Sequence, residues 1–251
     1  MTQETFYYFC YAWIGVGIIA FLGLQFKDAP YGKFTSSKWG PTMSNRWGWV
    51  IMEAFVLAVL YYFVLTGPKQ LSAVDWTIVG LFTAHYVNRS FIYPFRTRTK
   101  GKQIPVSIVG MAMFHNLANG FLIGYYLTHF SSYSNDWFTS WQFILGTILF
   151  AVGMFTNIYS DTVLINLRKN PADGYKIPYG GPFNLISAPN LGGELVEWIG
   201  FAILCWNLPA FCFAFFTFCN LFPRALANHK WYKQTFPDYP KDRKAVIPFI
   251  W

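Results

Sequence analysis

Four carboxylates, Glu53, Asp161, Glu194 and Glu197, stand in or at the edge of strongly apolar stretches of the sequence. An isolated acid at mid-membrane costs about 2.5 to 3.5 kcal/mol on insertion scales, so four of them require partners, water or a ligand. Companions occur in the same kind of stretch: His85, Tyr86, Asn88 and Arg89, then His115, Asn116 and Asn119, then Asn157. Together they read as the lining of a polar cavity, where acids meet the donors of amides, cations or a bound ligand.

Helical spacing sharpens this reading. Asn157, Asp161 and Arg168 are four and seven residues apart and therefore share one helix face. Glu194 and Glu197 share a turn just after Asn190-Leu191-Gly192-Gly193, and like charges so placed repel unless donors stand opposite. Tyr86 and Arg89 put a phenol and a guanidinium on one side of a third helix. For any single residue, an interhelical hydrogen bond of purely structural value explains the polarity as well; for the whole set it does not.

The elements that must carry these groups are membrane spans. With 54% hydrophobic, 22% aromatic and only 12% charged residues, the chain has too little polar surface to solvate a globule of 251 residues. Apolar segments of spanning length fall at about 6–25, 47–66, 74–93, 105–129, 138–165, 191–206 and 208–225. The predicted fold is an all-α integral membrane protein, a bundle of seven transmembrane helices forming one domain over residues 1–251. Residues 1–104 hold the first helices and their basic loops, and 105–251 hold the remainder.

Charge supplies the orientation. Of nineteen Lys and Arg, seventeen fall in alternate loops and the C-terminal tail, whereas the opposite loops hold only Lys69 and Arg89 lies inside a span. The positive-inside rule then puts the amino terminus outside and the carboxyl tail in the cytoplasm. A net charge of +8 comes from short clusters beside apolar helices, without a nucleic-acid-binding module, so lipid headgroups or an anionic cofactor are the expected partners. Cys10, Cys205, Cys212 and Cys219 have no metal-ligand spacing and read as packing residues, so neither metal nor disulfide is expected. The first span lacks a basic leader and a cleavage site and is expected to stay in the protein. The connection at about 166–190 is long enough to cover a ligand. Trp47 and Trp49 read as an interfacial belt, and the phenylalanines of the last span as lipid-facing packing.

Several blocks resemble one family. Asn157-Ile158-Tyr159-Ser160-Asp161, Leu167-Arg168-Lys169, Tyr175 through Gly181, Asn190 through Gly200 and the ending Tyr239 through Trp251 are similar in order and spacing to the steroid 5α-reductases. So are Tyr31-Gly32-Lys33, Trp49, Met52-Glu53 and His85 through Arg89, which extends the likeness over most of the chain. The resemblance implies NADPH-dependent reduction of the 4,5 double bond of a 3-oxo-Δ4-steroid. It also implies that Glu53 and Tyr86 bind the C3 ketone, and that Asn157, Asp161, Asn190 and Glu194 take the nicotinamide and ribose. Tyr31, Lys33, Arg89, Arg98, Arg168, Tyr175, Tyr232, Lys241 and Arg243 would serve phosphates, ribose or adenine, with Glu197 and Arg224 completing the cofactor set. A dinucleotide's phosphates call for such an array of cations.

Departures from the family pattern bear on the substrate. Met52 stands where mammalian members place a glutamine, Asn228 replaces a histidine beside His229, and Lys100 and Lys176 replace arginines. A polyprenoid or enoyl-thioester substrate therefore stays open. A membrane methyltransferase using S-adenosylmethionine shares the C-terminal glutamate and arginine pattern, but has no work for Glu53 and Tyr86 in earlier helices. The expected protein is a monomer in a bacterial inner membrane or the endoplasmic reticulum, its cofactor site facing the cytoplasm.

Overall fold

A computed structural model describes residues 1–26, 39–99, 101–167 and 174–250. Tyr31, Lys33 and Arg168, expected at the site, lie outside the described residues. Among those described the architecture is helical: α1 (Gln3–Phe26), α2 (Asn45–Thr66), α3 (Ala73–Val87), α4 (Tyr93–Arg96), α5 (Val106–His129), α6 (Trp141–Leu167), α7 (Pro189–Cys205) and α8 (Leu208–Thr235). Five of these, α1, α2, α5, α6 and α8, are long and apolar enough to cross a membrane.

The other two expected spans take different forms. The third runs as α3, a π-helical turn at Asn88–Ile92, and α4. Pro94 explains the break: it has no N–H, and its ring collides with the carbonyl four residues back. The hydrogen-bond register slips just before it, so that Tyr93 donates to the carbonyl of Asn88, five residues earlier. The sixth expected span is α7, which has 17 residues. The last helix runs on past the expected end at 225 to Thr235, through Pro223.

The chain divides into two compact units. One comprises Met1–Tyr11, Ala29–Phe143 and Asn207–Ala210; the other comprises Ala12–Asp28, Ile144–Trp206 and Phe211–Trp251.

In the first unit, a short antiparallel ribbon pairs β1 (Thr42–Ser44) with β2 (Gln103–Pro105), Met43 opposite Ile104. Because α2 follows β1 and α5 follows β2, the two helices start side by side and run parallel. Small residues let them approach: a Cβ on Gly120 would lie 2.8 Å from Val59, and one on Gly124 3.0 Å from Phe63. Phe6 of α1 packs beside α5, its ring 5.5 Å from Tyr125 and 5.8 Å from Phe121. Far from the ribbon, Asp75 is fully buried and receives Lys69 at 3.1 Å and the Ser131 hydroxyl at 2.7 Å. Ser72 and Asp75 also close a capping box at the start of α3. Lys69, the one cation expected on its side of the membrane, thus has a defined partner.

In the second unit, α6 and α7 lie antiparallel at backbone contact. A side chain on Gly193 would come within 2.7 Å of the Asn157 nitrogen, and one on Gly153 would run into the Glu197 backbone. Gly146 and Gly200 repeat this contact seven residues along each helix. Trp198 of α7 is buried edge-on to Phe213 at 4.4 Å and to Phe150 at 6.2 Å. Phe213 and Phe216 are therefore core residues, whereas Phe211 and Phe218 remain exposed as expected of a lipid-facing stripe.

Candidate functional site

Close approach of α6 and α7 assembles the polar residues of the second unit. The Asn157 amide donates to the carbonyl of Asn190 at 2.9 Å and to Glu194 Oε2 at 3.2 Å. In return the Asn190 amide donates to Asp161 Oδ1 at 3.0 Å. Four residues expected to act together are thus joined in one network. Their exposures divide the work: Asn157 is 2% exposed and Asp161 4%, while Asn190 and Glu194 keep more surface. Both amide hydrogens of Asn157 are engaged by Asn190 and Glu194, which leaves those two residues as the more accessible members of the network. Glu197 is completely buried one turn further on, where α7 meets Gly153.

The C-terminal tail builds a second cluster in the same unit. Ile186 and Lys244 form a parallel bridge, with Ser187 N donating to Lys244 O at 2.8 Å and Lys244 N to Leu185 O at 2.9 Å. This pairing anchors Arg243, which is only 3% exposed. Its Nη1 donates to the Pro178 carbonyl at 3.1 Å, and its guanidinium lies over the rings of Tyr179 and Tyr239 at 5.2 and 5.1 Å. The buried Nε has no hydrogen-bond partner, and no carboxylate pairs with this cation among the described residues. A buried charge without a counter-ion is costly, so the position suits a phosphate or another anion.

Expected residues gather around it unevenly. Tyr232 stacks on Tyr239 at 5.3 Å, and Tyr175 meets Trp231 edge-on at 5.0 Å. Arg224 is half-buried on α8, while Lys241 is exposed. Sequence reasoning did not single out Ser187, Tyr179 or Tyr239, and noted His229 only as a remnant of a histidine run. Ser187 Oγ lies 2.6 Å from both His229 Nδ1 and Tyr239 Oη. No local spacing signals this, because the three residues come from separate segments joined by the tail's bridge.

The first unit holds the expected ketone-binding pair. Glu53 is half-buried on α2, and Tyr86 is buried near the end of α3, its ring 4.8 Å from Phe82 and 5.0 Å from His85. Beside them the π-turn carries Arg89, whose guanidinium lies over Trp49 at 5.2 Å and Tyr93 at 4.6 Å. Trp49, expected in an interfacial belt, thus serves an arginine, whereas Trp47 is exposed. Arg46 secures the same junction by donating to the Pro94 carbonyl at 3.2 Å. Arg98 is exposed beyond α4. Asn116, a candidate for the cavity, donates to the Met52 carbonyl at 2.6 Å, which is the structural alternative for that residue.

Membrane-length helices place the chain among helical membrane proteins, with a buried acid–amide network and a buried guanidinium as its candidate site. Residues 102–251 match the family model for 3-oxo-5-alpha-steroid 4-dehydrogenase. The chain is 39% identical to the steroid 5-alpha-reductase DET2 of Gossypium hirsutum, covering 100% of this chain and 99% of that protein. It is 38% identical to the 3-oxo-5-alpha-steroid 4-dehydrogenase 1 of Homo sapiens, covering 96% and 93%, and 41% identical to the 3-oxo-5-alpha-steroid 4-dehydrogenase 2 of Sus scrofa, covering 91% of each. The protein belongs to the steroid 5-alpha-reductase family, oxidoreductases acting on CH–CH bonds.

Proposed function

We propose that this protein reduces the 4,5 double bond of 3-oxo-Δ4-steroids of the testosterone and progesterone type, using NADPH. One observation carries the cofactor half of the reading: Arg243, a buried guanidinium with no carboxylate partner among the described residues, supports a ligand rich in phosphate. The neighbouring network supplies what the other end of a dinucleotide needs. Glu194 and Asp161 accept from a carboxamide or ribose hydroxyls, and Asn157 and Asn190 hold those acids in place.

When bound, the nicotinamide supplies a hydride to C5. The chain's own part is to stabilise the charge this creates. Electron density moves from the double bond to the C3 oxygen, giving an enolate that strengthens every hydrogen bond aimed at that oxygen. Tyr86 donates such a bond. Glu53 either donates a second one as the neutral acid or accepts from Tyr86 and orients it. A proton reaching C4 completes the addition across the bond. The low-dielectric surroundings of α2 and α3 make these dipoles worth more than in water and exclude side reactions.

The same reading includes a topology. The run from α3 through α4, 73–96, and the 17-residue α7 join the five longer helices to make seven spans. Parallel packing of α2 and α5, with one helical run between them in sequence, suits that threading. The amino terminus is placed outside and the tail, with Arg243, in the cytoplasm where NADPH is available. The protein works as a monomer in the endoplasmic reticulum or a bacterial inner membrane.

Isotope transfer tests the function. NADPH deuterated on its nicotinamide should place deuterium at C5 of a 5α-3-oxosteroid, detected by mass spectrometry. Product formed without the label at C5 would contradict the mechanism.

A further inference from the structure

Ser187 is a hydroxyl with one proton and three close partners. Its Oγ lies 2.6 Å from His229 Nδ1, 2.6 Å from Tyr239 Oη and 3.0 Å from the Lys244 carbonyl. The carbonyl can only accept, whereas His229 Nδ1 accepts or donates according to its tautomer. Tyr239 shares a hydrogen bond with the Ser187 oxygen in which either hydroxyl can be the donor. That bond fixes the phenol, which is 6% exposed and also stacked on Tyr232 at 5.3 Å. The face of the same ring carries the Arg243 guanidinium at 5.1 Å. A chain of contacts therefore runs from His229 on α8, through Ser187 ahead of α7, to Tyr239 and Arg243 on the tail.

We propose that Ser187, Tyr239 and His229 are positioning residues that hold Arg243 in its phosphate-binding pose, and so set the affinity for the dinucleotide without taking part in the chemistry. The proposal rests on the cofactor reading of Arg243 given above. Two features favour it over a purely structural role. First, hydroxyl, imidazole and phenol converge on the segment whose arginine has a buried Nε without a hydrogen-bond partner among the described residues. Second, among the described residues the Arg243 side chain has one hydrogen bond, to Pro178, so its direction depends on the rings beside it. An arginine whose fork is aimed in advance loses less entropy on closing on a phosphate than one that must be ordered by the ligand.

Steady-state kinetics of the full chain in detergent, with NADPH and testosterone varied separately, tests this. Tyr239→Phe keeps the ring and removes the hydroxyl; Ser187→Ala removes its hydrogen-bonding partner; Ser187→Thr restores it. The first two should raise the KM for NADPH about five- to tenfold, the effect of losing one or two ordinary hydrogen bonds. kcat at saturating NADPH and the KM for testosterone should stay near the parent's, and Ser187→Thr should recover most of the loss. His229→Gln, which keeps a polar group near Ser187, should fall between. Should Tyr239→Phe fail to fold, the Ser187→Ala and Ser187→Thr pair reads the same bond. Arg243→Gln separates the two levels of the argument. If it raises the KM for NADPH while Ser187→Ala and Tyr239→Phe do not, the positioning role is overturned and the cofactor reading stands. If Arg243→Gln leaves that KM unchanged, the cofactor reading of the tail is overturned, and the positioning role with it. Equal losses in kcat and both KM values, with a lowered Tm and no rescue by threonine, would also overturn the proposal.

Discussion

The side-chain amide of Asn190 donates to Asp161 at 3.0 Å, tying the first turn of α7 to a carboxylate buried on α6. Asp161→Ala leaves that amide without its acceptor inside the seam, which costs about 1–3 kcal/mol of stability. It also frees Asn190 and, through the shared Asn157 bond, Glu194. Thermal unfolding in detergent should show the lower Tm, and NADPH titration should show at least tenfold weaker binding. Wild-type affinity in a folded Asp161→Ala protein would remove the network from the cofactor site.

Backbone contact between α6 and α7 makes a second outcome specific to position. Gly153→Ala drives a methyl group into the Glu197 backbone, and overpacking of this kind costs about 1–3 kcal/mol or more. Gly110 on α5 has nothing within 4 Å of an added Cβ, so Gly110→Ala should be neutral or slightly stabilising, as for other helical glycines. Comparing the Tm values of the two variants checks whether the seam is as close as described.

A third outcome concerns the polar node formed by Lys69, Asp75 and Ser131. Lys69→Met leaves the buried Asp75 carboxylate without its cation, and breaking a buried pair in this way costs about 3–5 kcal/mol. Lys69→Met combined with Asp75→Asn removes both charges and should recover part of that loss. Chemical denaturation of the single and double variants measures the difference. Because the node joins the start of α3 to the end of α5, turnover per folded molecule should change little.

Kinetics should separate Glu53 and Tyr86 from the residues of the other unit. On the proposed reading, Glu53→Ala and Tyr86→Phe each remove a group that binds the ketone or orients its donor, so kcat should fall by about 10²- to 10³-fold, the range seen for single donors at an oxyanion. The dissociation constant for NADPH should not move. Full turnover in both variants would show that the ketone is held elsewhere.

Much of this arrangement is legible in the sequence because it depends on local pattern. Apolar length marks α1, α2, α5, α6 and α8, and the four-residue spacing of Asn157 and Asp161 puts them on one face, whereas their grouping with Asn190 and Glu194 comes from the family resemblance. The π-turn at Asn88–Ile92 was signalled by Pro94, yet a run of apolar residues on both sides reads first as one uninterrupted span. Gly146 and Gly153, with Gly193 and Gly200, stand seven residues apart and could have announced the seam. Tyr179 and Tyr239 lie in blocks that resemble the family and Ser187 does not, but no spacing ties the three together. Their roles come from the pairing of the tail with the segment before α7, a contact between residues more than fifty positions apart.

The most direct measurement is NADPH oxidation by the purified protein, followed by absorbance with and without a 3-oxo-Δ4-steroid. Oxidation should depend on the steroid, match it mole for mole and yield the 5α-reduced ketone. No steroid-dependent oxidation with testosterone or progesterone, from folded protein that binds NADPH, would contradict the proposed reaction.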